Sequence, residues 1–205
     1  MKILSNDSLF GRFFGQVGDI ILVNLLFILC SIPIVTIGAS YSAMYYAFLT
    51  KLHHNDTAIY RTFLRAFKEN FKNSTLTWLL TLFLALVTVV DLSMFSSRGM
   101  MPNTSLFYMF CAIATVIALW AIFVFPVIVS FSNTLKNLWI QAFFLAAKNI
   151  LWAVLIAAII IVPVLLTLQT LQTLLMTLIL WITCGFALTA YLNSFLFYRI
   201  FKPYL

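Results

Sequence analysis

A chain this apolar offers few groups that could do chemistry, and most of them sit within or beside its hydrophobic runs. Asp19 stands at the start of the first run and Asn24 lies about one turn deeper on roughly the same face, with Pro33, Thr36 and Gly38 following in "SIPIVTIG". An ionisable group near the membrane is a functional candidate by default, because hydrocarbon gives it no partner. Asp19 also has a plainer role: a carboxylate at a helix N-terminus is favoured by the macrodipole and stays within reach of water. Asn24 needs a partner in lipid, which usually means a hydrogen bond to a neighbouring helix. Thr36, Ser40, Ser42, Tyr45 and Tyr46 form a polar stripe that could line a solute path. Close packing explains the neighbouring Gly38, Ala39, Ser42 and Ala43 equally well, and packing is the first reading.

The remaining candidates are weaker. Asp91 precedes Arg98 by seven residues, a two-turn spacing that suits an ion pair. Gln169, Gln172, Tyr191 and Asn193 are scattered in or beside the last two runs. His53 and His54 are adjacent instead of one turn apart, with no clustered acids or cysteines, so no metal site is expected. Cys30, Cys111 and Cys184 all fall in apolar segments and read as small buried hydrophobes. Neither HExxH nor GxSxG occurs, and there is no phosphate-binding loop or dinucleotide-binding glycine pattern. No catalytic residue and no cofactor is expected, and the chain reads as a non-enzyme.

These residues are carried by a chain that is 64% hydrophobic and 8% charged, against about 45–50% and 25% for soluble domains. A soluble domain of 205 residues has too little interior to hide that much apolar surface. Lipid must therefore be part of its solvent. No linker or low-complexity stretch divides residues 1–205, which read as a single integral membrane domain. The N-terminal stretch is a poor signal peptide, since Asp7 and Asp19 interrupt it and no small-x-small site precedes Pro33.

Apolar runs at about 17–35, 36–52, 74–95, 105–130, 150–169 and 171–198 predict an all-α bundle of six membrane helices. The first two come from one uncharged run, 20–50, whose 31 residues would extend about 46 Å as a single helix. Pro33 and Gly38 would weaken such a helix, so "SIPIVTIGAS" reads as a tight turn near the outer interface, with Pro33 ending one helix and Gly38 permitting the reversal. A re-entrant 36–52 segment is the alternative.

Two polar pieces predict surface helices. In "KLHHNDTAIYRTFLRAFKENFKN", Tyr60, Phe63, Phe67 and Phe71 share one face while Arg61, Arg65, Lys68 and Lys72 share another. That pattern suits a helix lying over anionic lipid, or a connector helix docked on the bundle. The second piece, 130–149, repeats it weakly, with Trp139, Phe143 and Ala147 opposite Lys136. The pieces end in "FKN" and "AKN", 76 residues apart, which makes 36–95 and 105–169 a candidate internal repeat.

On the six-helix plan, 11 of the 12 basic residues fall on one side and Arg98 alone on the other. Positive residues mark the cytoplasmic side, so both termini are expected inside. The net charge of +7 is explained by this asymmetry and by the anionic inner leaflet, so nucleic acid is not implied.

"FGQVGDIILVNLLFILCSIPIVTIGASYSAMYY" followed by "RTFLRAFKENFKNSTLTWLL" resembles the YesL-type family of bacterial membrane proteins of unknown function. Gly18, Asp19, Asn24 to Leu26, Pro33, Thr36, Gly38 and Phe67 to Asn73 carry the likeness, with "FVFPVIVSFSNTLKN" and "AAKN" adding less distinctly. The resemblance implies a bacterial cytoplasmic membrane and a link to carbohydrate uptake, with transporter subunits or a sensor kinase as partners. It brings no catalytic or ligand residues. The expected function is a non-enzymatic accessory or regulatory protein of carbohydrate uptake, with Arg61, Arg65, Lys68 and Lys72 as the surface for lipid or partner. The alternative is a small-solute (sugar) permease, alone or as an oligomer.

Overall fold

The computed structural model describes residues 9–53, 58–97 and 104–204. Among these the chain is helical apart from short turns, with no strand. Helices α1 (Leu9–Cys30) and α2 (Ile37–His53) form a hairpin joined through a 3-10 turn at Ile34–Thr36. Then come α3 (Ile59–Ser97), α4 (Thr104–Ser130), α5 (Leu135–Lys148) and α6 (Ile150–Thr167). The last rod comprises α7 (Leu171–Leu180), a π-helical segment at Trp181–Gly185 and α8 (Phe186–Phe201). Among the described residues four stretches are long and apolar enough to cross a membrane: Ile59–Asp91, Phe107–Ser130, Ile150–Thr167 and Leu171–Phe201. The expected all-α bundle is found, and its outline is consistent with a multi-pass membrane protein.

Residues 20–50 are two helices, as the Pro33 argument predicts, and their turn lies beside Trp78, partway along α3. Trp78 Nε1 donates to the Ile34 carbonyl at 2.8 Å, and Gly38 packs on Ser74 and Trp78. At the other end of α2, Arg65 donates to the Tyr46 hydroxyl at 3.4 Å. Helix α2 therefore runs antiparallel to residues 59–78, the basic half of α3. The 13-residue separation of Trp78 and Asp91 leaves the turn about 20 Å short of the far end of the apolar half of α3. The sequence shows the reversal but not this register, which small residues in α2 set by fitting against α3.

The expected surface helix is not separate either. Residues 59–97 contain no glycine or proline, and α3 is continuous for 39 residues, about 58 Å. Its first half carries the cations. The uncharged stretch 73–90 is about 27 Å long, close to the hydrocarbon thickness. Phe63 and Ala66 are fully buried and Phe67 partly so, while Tyr60 and Phe71 are exposed. Much of the aromatic face thus packs inward, and this half of α3 docks on the bundle.

The core is concentrated in α2, the second half of α4 and α8. Nine residues of α2 are buried, whereas α6 buries Ala153 and Ile156 and α7 buries none. The exposed leucines of these last helices, Leu151 and Leu171 among them, present an apolar surface suited to lipid.

Candidate functional site

Asn24 of α1 is fully buried and reaches the last rod at its π segment. A π segment shifts bonding from the i+4 to the i+5 residue, which strips some backbone groups of their α-helical partners. Asn24 Nδ2 donates to the carbonyls of Trp181 at 3.0 Å and Ile182 at 2.7 Å. Its Oδ1 accepts from the Ala187 N–H at 2.9 Å. One amide thus satisfies two acceptors and one donor where water cannot reach, which binds α1 to α8 and holds the irregular segment in place. The expected helix-to-helix role of Asn24 is met in a specific form.

Asp19 takes a different partner. Its carboxylate pairs with the ammonium of Lys51 from the last turn of α2, and both side chains are partly exposed. The pair closes the open end of the α1–α2 hairpin. Asp19 and Asn24, expected on one face, are thereby divided between α2 and α8.

Pro33, Thr36 and Gly38 build the other end. Pro33 precedes the 3-10 turn, and its extended conformation ends the run of α1. Thr36 Oγ1 lies 2.6 Å from the Cys30 carbonyl and 2.7 Å from that of Pro33, so its single hydroxyl bridges carbonyls on the two sides of the helix break. Trp78 serves a third, at Ile34. Gly38 lies inside α2 and takes no part in the reversal. Its role is close approach: a Cβ there would collide with the Trp78 side chain and sit 2.8 Å from the Ser74 carbonyl oxygen. Thr36, Gly38 and Asn24 do not converge on one site.

The polar stripe of α2 faces inward. Tyr41 and Tyr45 are linked through their hydroxyls at 3.1 Å, and their rings stand edge-on to Phe125 and Phe197. Asn193 of α8 lies beside the Tyr45 hydroxyl without a well-formed hydrogen bond to it. Ser40 and Ser42 are buried with unpartnered hydroxyls. Asn24, Ser40, Ser42, Tyr45 and Asn193 all have 0% of their surface exposed, so no water-sized void touches them. Tyr46, by contrast, faces a cavity of about 240 Å³ shared with Thr50, His53, Ser130 and Tyr198.

Arg61, Arg65, Lys68 and Lys72 are all exposed on the flank of α3. Arg61 rests on the Tyr60 ring, 5.6 Å from its centroid, and donates to its hydroxyl. Asp91 is half-buried on α3, while Arg98, its expected partner, and His54 lie outside the described residues. The sequence reading missed the π segment, for which glycine at 185 is the one visible hint, and Lys51 as the partner of Asp19. The latter was legible, since any antiparallel 20–50 hairpin brings its two ends together.

The fold and this interior define a helical protein of membrane-spanning type in which buried Asn24 joins helices and the polar groups of α2 and α8 are closed off in the core. Residues 20–92, which include Asn24, the turn, α2 and the basic half of α3, match the family model described as "Protein of unknown function, DUF624". No curated protein and no solved structure matches the chain.

Proposed function

We propose that this chain is a non-enzymatic accessory or regulatory protein of a bacterial cytoplasmic membrane, with both termini cytoplasmic and a role linked to carbohydrate uptake. The observation that carries the reading is the closed interior: Asn24, Ser40, Ser42, Tyr45 and Asn193 are sealed from any water-sized void. Asn24 is committed to helix joining, and the charge of Arg61, Arg65, Lys68 and Lys72 is displayed on an exposed flank. A protein that acts by contact needs such a flank and no path through its core. The carbohydrate link rests on the likeness to YesL-type proteins, whose partners would be transporter subunits or a sensor kinase. The cations also suit the anionic inner leaflet.

A permease is the second reading, favoured by one observation: the unpartnered hydroxyls of Ser40 and Ser42 and the amide of Asn193 are the kind of groups a solute would bind in an open state. Co-purification from the native host in mild detergent, read by quantitative mass spectrometry, separates the two. The accessory reading expects transporter subunits or a sensor kinase, lost with Arg65→Glu and Lys68→Glu together. A partnerless protein that moves labelled sugar in reconstituted vesicles overturns it.

A further inference from the structure

We infer that the junction of α5, α6 and α8 is a binding site for the phosphate headgroup of an anionic phospholipid. A cavity of about 460 Å³ opens there, lined by Lys148, Asn149, Trp152, Arg199 and Tyr204, within the size range of small-molecule sites. Lys148 Nζ donates to the Tyr204 hydroxyl at 2.7 Å and lies 5.2 Å from the centroid of its ring. The Arg199 guanidinium stands 5.3 Å from the centroid of the Trp152 ring. Neither cation forms an ion pair among the described residues. Two exposed cations are thus oriented by aromatic rings toward one cavity, with no carboxylate among the described residues paired to them.

A third positive contribution comes from the backbone. Helix α6 starts at Ile150, and its N-cap, Asn149, makes no side-chain bond to the helix. Asn149 instead donates from Nδ2 to the Leu145 carbonyl at 3.0 Å. The first N–H groups of α6 therefore keep their capacity to bind an anion, at the positive end of the macrodipole.

The surroundings select a lipid over a soluble anion. Beyond the cavity, α6 displays Leu151, Val154 and Leu155, of which Leu151 is 83% exposed. An acyl chain anchored by its phosphodiester at Lys148 and Arg199 would lie along this surface. Trp152 and Tyr204 are residue types that settle at the headgroup level. Basic pockets between membrane helices are a recurring form of headgroup recognition. This site is separate from the cations of α3.

Native mass spectrometry of the detergent-purified full chain tests the inference, with phosphatidylglycerol and phosphatidylcholine of identical acyl chains titrated in turn. One retained phosphatidylglycerol is expected per chain, with phosphatidylcholine held far more weakly. Lys148→Gln and Arg199→Gln should each cut retention about fivefold and together on the order of 20-fold. Lys68→Gln with Lys72→Gln should leave it unchanged. An elution profile and melting temperature matching the parent show that the variants are folded, and the single variants stand in if the double one is not. Equal retention of both lipids, or undiminished retention by folded pocket variants, overturns the site. Displacement by millimolar inorganic phosphate would show that the cavity takes a soluble anion and overturns its assignment to lipid.

Discussion

Two hairpins in this molecule solve the same turning problem with different consequences. The α1–α2 hairpin reverses through Pro33 and Thr36, and the α6–α7 hairpin reverses through Thr167–Thr173. Both turns use threonine hydroxyls on backbone groups: Thr36 serves Cys30 and Pro33, while Thr170 and Thr173 form a reciprocal capping box. Beyond the turns they diverge. Helix α2 brings Gly38, Ala39, Ser40, Ser42 and Ala43 into the core, whereas α7 returns with leucines and buries nothing. A threonine-stapled turn therefore makes a hairpin, but small residues on the returning helix decide whether it is pulled into the bundle or left facing lipid. The first hairpin is also tied at both ends, by Asp19–Lys51 and by the Gly38 contact, and between them by Asn24.

The comparison can be broken at its tightest point. Gly38→Val should be the most damaging change, costing about 3 kcal/mol or more, because the Ser74 backbone cannot move aside as a flexible side chain would. Recovery of monodisperse protein should fall sharply, while Leu171→Val in the second hairpin should behave as the parent. Equal tolerance at both positions would remove the distinction between them.

Asn24→Leu comes next. It leaves the Trp181 and Ile182 carbonyls and the Ala187 N–H without the partner they have now, at about 2–4 kcal/mol. Thermal melting in detergent should register the loss, and hydrogen exchange should rise first around 181–187. If exchange there is unchanged, Asn24 does not hold the π segment.

The Asp19–Lys51 pair is partly exposed and smaller in effect. Asp19→Asn should cost about 1 kcal/mol, and less at high salt. A double-mutant cycle with Lys51→Met isolates the coupling, and a coupling of zero would show that the hairpin end closes without it. Smallest is the contrast between the turns themselves. Thr36→Val should cost about 1 kcal/mol and Thr170→Val about half that, since the first turn is held against Trp78 and the second is exposed. Melting temperatures of the two variants check the order.

The candidate repeat makes a related point about how far local pattern reaches. "FKN" at 71–73 lies within the unbroken α3, while "AKN" at 147–149 ends α5, where Asn149 adopts φ −115 and ψ 44. Asn70 and Asn149 make the same kind of side-chain bond to the carbonyl four residues back. The similar triplets thus lead to different backbones. Helix α3 is clamped against α2 through Ser74 and Trp78 just beyond its triplet, while α6 begins on a lipid-facing surface.

Composition and periodicity by themselves determined the all-α class, the membrane-spanning character and the break at Pro33. These follow from the chain's own hydropathy, its backbone restrictions and its charge, none of which depends on a neighbour. The identity of Asn24 as a joining residue was also legible, because an amide in hydrocarbon must find a partner. Which partner it finds was not. The π segment and the register that sets the turn beside Trp78 exist only once helices pack. So does the burial of Phe63 and Ala66 in the basic half of α3. Each depends on contacts between residues distant in sequence, and the fit of small side chains against large ones selects among registers that hydropathy leaves equal.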